Sequence, residues 1–179
     1  MAKVTLENLN KIFLSKIGKD VKAVNDFNLL LEDGEILALL GSSGCGKTTT
    51  LRMIAGFETA TSGQIKIGER IVNDLKPADR NVAMAFEGYA LYPPLTVKDN
   101  IAFSLMREKI SKDKVDSKVM EVAELLEITD ILERYPPSIS GGQQQRVSLA
   151  RALVRDSDAL LLDEPMSQLE PQLRAVLRA

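Results

Sequence analysis

Apolar and polar positions alternate near the start of the chain, where Val4, Leu6 and Leu9 lie in a short segment that predicts a strand. Asp33-Gly34-Glu35 is a turn signal. It leads into Ile36-Leu37-Ala38-Leu39-Leu40, an unbroken apolar run ending at Gly41. Such a run predicts a strand covered on both faces, as in a parallel sheet. From 47 to 56 the pattern is helical, with Gly56 as its stop. Short strands are predicted at 64–67 and 82–86. Between 112 and 128, Val115, Val119, Val122, Ala123 and Leu126 recur at helical spacing. Pro93, Pro94, Pro136 and Pro137 bracket that section. Pattern alone fits an ordinary helical insert here equally well. Another helix is predicted after Gln143, running to about Arg155, and 159–162 is a second buried-strand candidate. The mixture predicts an α/β fold. No internal repeat or low-complexity segment interrupts it.

Composition narrows the class. The 179 residues are 45% hydrophobic and 27% charged, ordinary for a globular chain able to bury a core. A net charge of −2 argues against general polyanion binding, so no nucleic-acid partner is expected. Cys45 is the one cysteine, which excludes an internal disulfide and fits a reducing compartment. The N-terminus does not read as a signal peptide. Apolar runs are a few residues long, whereas a membrane span needs about 20. No direct membrane insertion is expected, and a role at a membrane would come through a partner. The sequence contains no histidine.

Three motifs carry chemistry. Gly41-Ser42-Ser43-Gly44-Cys45-Gly46-Lys47-Thr48 fits the phosphate-loop pattern G-x-x-x-x-G-K-[ST], between a predicted strand and a predicted helix. Glycines let successive backbone N–H groups face a polyphosphate, and the helix start adds partial positive charge. Lys47 would reach the β- and γ-phosphates of ATP. The Thr48 hydroxyl would ligate Mg2+, and Thr49 could bond a nearby phosphate. At 159–164 an apolar strand ends in Asp163-Glu164. In phosphate-loop enzymes an aspartate there holds Mg2+, and the next acid can act as general base. A solvated strand end is the simpler reading of such a pair taken alone. The third motif is Ile139-Ser140-Gly141-Gly142-Gln143-Gln144-Gln145-Arg146. A serine N-cap would account for Ser140 but not for the string.

That last string resembles the signature of ATP-binding-cassette (ABC) ATPases, commonly L-S-G-G-Q followed by Q-x-R. The segment from Ala83 through Phe86-Glu87-Gly88-Tyr89-Ala90-Leu91-Tyr92 to Pro93 resembles the sugar-importer branch of the maltose and glycerol-phosphate type. Leu95-Thr96-Val97, Asn100-Ile101-Ala102, Arg134-Tyr135-Pro136 and 147–155 extend the likeness over nearly the whole chain. The resemblance implies a phosphate-loop NTPase of the ABC type, with a core at about 1–86 and 150–179 and a helical subdomain at about 87–149. It implies a motor subunit that couples ATP to import, working at the cytoplasmic face of a membrane. It implies a partner ATPase subunit, whose signature faces this chain's γ-phosphate. Ser140, Gly141, Gly142 and Gln143 would serve the partner's nucleotide in return. It also implies transmembrane permease subunits, gripped near residues 89–95, although a packed aromatic loop would look the same. Phe13 falls where the family stacks an aromatic on adenine. Cys45 is expected to contribute backbone only.

The sequence departs from the family pattern in three places. Glu87 replaces the Q-loop glutamine. It still offers Mg2+ an oxygen, but ionised it cannot donate a hydrogen bond. Ser167-Gln168-Leu169-Glu170 stands for S-x-L-D, with one extra methylene at Glu170. The sequence ends at Ala179, ahead of the family's switch histidine and a further core strand, so a truncated chain is the expectation. Two functional expectations follow: an ATPase motor in which Glu164 activates water and Lys47 stabilises charge, or a module that binds ATP without turning it over.

Overall fold

The computed structural model describes residues 1–15, 18–86, 90–106 and 110–163. It divides into two compact units. One comprises Met1–Ala83 with Ser157–Leu161; the other comprises Met84–Asp156 with the described residues from Leu162.

The first unit is built on β1 (Val4–Phe13), β2 (Val21–Leu31), β3 (Ser62–Ile67) and β4 (Arg70–Ile71). They form one antiparallel sheet in the order β2-β1-β3-β4. Val4 and Leu6 are buried on one face, as period two requires. The next buried position is Leu9, because a register shift between Leu6 and Leu9 moves the phase by one residue. Asn8, at φ 47°, sits in that bulge. Gly63 of β3 lies against it at φ 90°, where a Cβ would collide with the Asn8 carbonyl oxygen. Only Val24 of β2 is fully buried. Without a stripe of apolar alternation, β2 gives no strand signal in the sequence.

Residues 36–40 correct the expectation drawn from their composition. They form no strand, and Ile36 and Leu40 are 97% and 91% exposed. An apolar run becomes a strand only where a neighbour supplies the hydrogen-bond ladder. Among the described residues, no strand pairs with 36–40. The other buried-strand candidate does form: β6 (Ala159–Leu162) pairs with β5 (Val82–Ala85) in a two-stranded sheet.

Helix α1 (Lys47–Ala55) buries Thr50, Met53, Ile54 and Ala55. Its C-terminal carbonyls are held by Arg80, which is 4% exposed. The Arg80 guanidinium donates to the carbonyls of Met53 (2.8 Å), Ile54 (3.0 Å), Asn73 (3.0 Å) and Leu75 (2.9 Å). Carbonyls left over at a helix end thereby find a cationic donor. Burial lowers the Arg80 pKa, opposed by the charge of Asp74, but guanidinium remains protonated.

The second unit packs α2 (Val97–Phe103), α3 (Lys112–Leu125) and α4 (Gly141–Leu153) around one apolar core. Val97 and Ile101, Val119 and Ala123, and Val147 and Ala150 bring the three faces together. α3 follows the sequence periodicity. α2 is seven residues long, too short for a periodic signal, and is set by two local devices. The Thr96 hydroxyl accepts from the Asp99 N–H as an N-cap. The buried Asn100 amide donates to the carbonyls of Tyr92, Leu95 and Thr96 and accepts the Tyr92 N–H. α4 starts at Gly141, ahead of the expected start after Gln143.

Candidate functional site

The glycine-rich segment 41–46 runs directly into α1. Gly46 is the N-cap, at φ 99°, and Gly44 lies at φ 79°. These left-handed conformations suit glycine. A Cβ on Gly46 would also collide with the Ala23 carbonyl oxygen of β2. No side chain caps α1, and no acidic residue occupies its first turn. The positive end of its dipole, with no carboxylate beside it, suits an anion. Gly46 O accepts the Thr50 N–H (2.8 Å) and hydroxyl (2.9 Å), closing the first turn. Lys47 bends back over the loop, its Nζ 2.9 Å from Gly41 O and 3.0 Å from Ser42 O. The Cys45 N–H donates to Ser42 O at 3.3 Å. A Cβ on Gly41 would sit 2.6 Å from Cys45 Sγ, so that thiol packs inside the turn although Cys45 is exposed overall. Ser42 and Ser43 are exposed; Lys47, Thr48 and Thr49 are half-buried.

Phe13 ends β1 in the same unit and is 40% exposed. Two residues earlier on the same strand face, Lys11 Nζ lies 4.8 Å from the Phe13 ring centroid. The ammonium is held by Glu58 Oε1 (2.7 Å) and Thr59 O (2.8 Å). The bond from Lys11 keeps the Glu58 carboxyl below its ordinary range, despite partial burial. Sequence reading passed over Lys11 and Glu58. Strand alternation from Phe13 was the one signal that could have found Lys11; Glu58 is 47 residues away and leaves none.

In the second unit, Ser140 is the N-cap of α4 and forms a full capping box. Ser140 Oγ accepts the Gln143 N–H (3.3 Å), and Gln143 Oε1 accepts the Ser140 N–H (2.9 Å). The structural role that composition allowed Ser140 is therefore real. Gly141 and Gly142 follow as the first helical residues, with no acidic group in that turn. Gln144 donates to Pro136 O and Ile139 O, and Arg146 to Leu126 O at the end of α3. The signature helix is thus fastened on both sides. The described part of 89–95 holds Tyr92, packed at a 48° tilt against Phe103 (centroids 4.5 Å apart) and under Arg151 (5.0 Å). Burial lowers the Arg151 pKa, while Tyr92 raises it. Asp163 follows β6, is 5% exposed, and donates its N–H to Ala85 O. Glu87, Tyr89, Glu164 and 167–170 lie outside the described residues.

A family model described as "ABC transporter" matches residues 24–167. The chain belongs to the ABC transporter family. This ABC chain is 48% identical, over 99% of its length, to the sn-glycerol-3-phosphate import ATP-binding protein UgpC of Ruegeria pomeroyi. It covers 49% of that protein. It is 50% identical, over 100% of its length, to the trehalose/maltose import ATP-binding protein MalK of Thermococcus litoralis, covering 48% of it. The chain spans about half the length of the curated relatives it matches. Its fold is that of a phosphate-loop ABC cassette. It overlays the dimeric cassette MJ0796, solved in a post-hydrolysis state with ADP and Pi, at a TM-score of 0.87 and 28% identity. That match covers 95% of this chain and 77% of the cassette.

Proposed function

We propose that these residues are the nucleotide-binding part of an import ATPase subunit that couples ATP to the uptake of carbohydrates or glycerol phosphates. The observation that carries this reading is the 41–48 loop, with its glycines, uncapped helix start and Lys47 folded over it. The import names of the relatives support the direction and class of transport. On binding ATP, Lys47 exchanges its bonds to Gly41 O and Ser42 O for phosphate oxygens, while Gly44, Cys45, Gly46 and Thr49 line the polyphosphate. Mg2+ is the expected metal. The Thr48 hydroxyl and Asp163 carboxylate are hard oxygen donors of the kind it takes beside nucleotide phosphates, and Glu87 would be a third. No cluster of three or more His, Cys, Asp or Glu able to hold a metal occurs among the described residues, and a phosphate-shared Mg2+ needs none.

Catalysis belongs to Glu164, which would orient water for in-line attack, with charge neutralised by Lys47 and the metal. The Ser140–Gln143 helix start would serve the nucleotide of a second ATPase subunit. The permease would hold the subunit at the inner membrane face through residues 89–95; no helix of the described residues is long and apolar enough to cross the bilayer. Equilibrium titration with ATP, with and without Mg2+, tests the reading. Lys47→Ala should weaken ATP binding by about tenfold or more, one lost charge-assisted contact being worth at least about 1.4 kcal/mol. Failure of the wild-type chain to bind ATP would overturn it.

A second reading, nucleotide binding without turnover by these residues alone, is favoured by Glu87 and by the lack of any histidine among them. Phosphate release measured beside ATP binding separates the two.

A further inference from the structure

Phe13 is 40% exposed at the end of β1, as Phe103 is on α2, while Phe57 is 55% exposed. What sets Phe13 apart is the cation beside its ring. Its ring is set on a charge that cannot move freely. Lys11 Nζ is within cation–π reach of the ring, at 4.8 Å. Two of its three donors are committed, to Glu58 Oε1 and Thr59 O. The Lys11 side chain is 13% exposed, so its position is fixed by burial as well as by bonds.

The anchor has an anchor of its own. Glu58 Oε1 also accepts the Thr59 N–H at 3.1 Å. The N–H groups of Phe57 and Glu58 donate to Arg52 O in the last turn of α1. The ring is therefore tied, through Lys11 and Glu58, to the helix whose other end carries the glycine-rich loop. The half-buried pair thus links the strand end that carries the ring to the last turn of α1.

We propose that Lys11, held by Glu58, is a positioning residue that sets the Phe13 ring for stacking on the base of a bound nucleotide. The inference rests on the reading of Phe13 as the base-stacking residue. Its consequence is selective: Lys11 governs recognition of the base and leaves the polyphosphate to the 41–48 loop. A flat ring reads any purine face without base-specific bonds, so what the protein must control is where the ring lies.

The test compares ATP with inorganic tripolyphosphate, which lacks the base, on the full chain. Affinities for both are measured for wild type, Phe13→Ala, Lys11→Met, Lys11→Arg and Glu58→Gln. Lys11→Met keeps the apolar stem and removes the charge. It should weaken ATP binding by about fivefold, the size of one partly desolvated cation–π contact, and leave tripolyphosphate binding unchanged. Lys11→Arg should retain most of the ATP preference, and Glu58→Gln should fall between. Tripolyphosphate binding is also the control for folding of each variant. Equal losses for both ligands in Lys11→Met would make Lys11 a purely structural residue and overturn the inference. So would an unchanged ratio in Lys11→Met alongside a reduced ratio in Phe13→Ala. An unchanged ratio in Phe13→Ala would remove the stacking reading, and this inference with it.

Discussion

At the scale of single residues, Gly46 and Gly34 make a matched pair. Both have positive φ, 99° and 78°. Only at Gly46 would a Cβ meet backbone, the Ala23 carbonyl; around Gly34 nothing lies within 4 Å. Gly34→Ala should cost about 1 kcal/mol of stability, from strain alone. Gly46→Ala should cost about 3 kcal/mol, because the loop or β2 must shift as well, and should abolish ATP binding. Urea denaturation and ATP titration of the two variants check this. Glu58 supplies a pH prediction. Its folded pKa is lowered by Lys11, so the pair stabilises the fold above the unfolded value of 4.5. That stability is lost as pH falls through the folded pKa. Glu58→Gln should therefore flatten the acid limb of a stability–pH profile below about pH 4.5.

At the scale of elements, helix ends decide more than helix interiors. α4 depends on the reciprocal Ser140–Gln143 cap, so Ser140→Ala should lower the unfolding free energy by about 1 kcal/mol. Ser140→Asp keeps an acceptor and should recover most of it, as measured by chemical denaturation. The other end of this logic is α1, whose last carbonyls meet a buried guanidinium. Arg80→Met fills similar space but takes the guanidinium away from four carbonyls, those of Met53 and Ile54 in buried bonds and those of Asn73 and Leu75 in part-buried ones. A loss of about 3 kcal/mol or more is expected, and Arg80→Lys should not restore it, since one ammonium cannot reach all four. Gly56 belongs to the same device, because a Cβ there would fall 2.6 Å from Arg80 Nε. Sequence periodicity reveals α1, α3 and the interior of α4. It does not reveal α2 or β2, since the first depends on a buried Asn100 amide and the second on pairing with β1.

At the scale of the whole molecule, the described residues leave apolar surface uncovered at Ile36 and Leu40. Such surface favours self-association and binds apolar dyes. The double substitution Ile36→Ser, Leu40→Ser should reduce dye fluorescence and shift sedimentation of this chain toward the monomer, with the 41–48 loop still able to bind tripolyphosphate. The same stretch shows where composition misleads. Five apolar residues in a row state that a segment wants to be covered, but they do not state by what.

The sequence by itself determined the local backbone devices that depend on short contiguous strings. The 41–48 loop, the α1 start and the Ser140–Gln143 cap are each written in consecutive residues, since glycine φ values and capping bonds act over one turn. The site assignments of Phe13, Asp163 and Glu164 are likewise proposals from motif and resemblance. Tertiary structure alone decided what depends on distant partners. The bulge at Asn8 against Gly63, the seat of Arg80 across α1 and the Lys11–Glu58 pair beside Phe13 join residues from 26 to 55 positions apart. A strand ladder, a buried guanidinium and an oriented ring are properties of pairs, and a linear pattern records only one member of each.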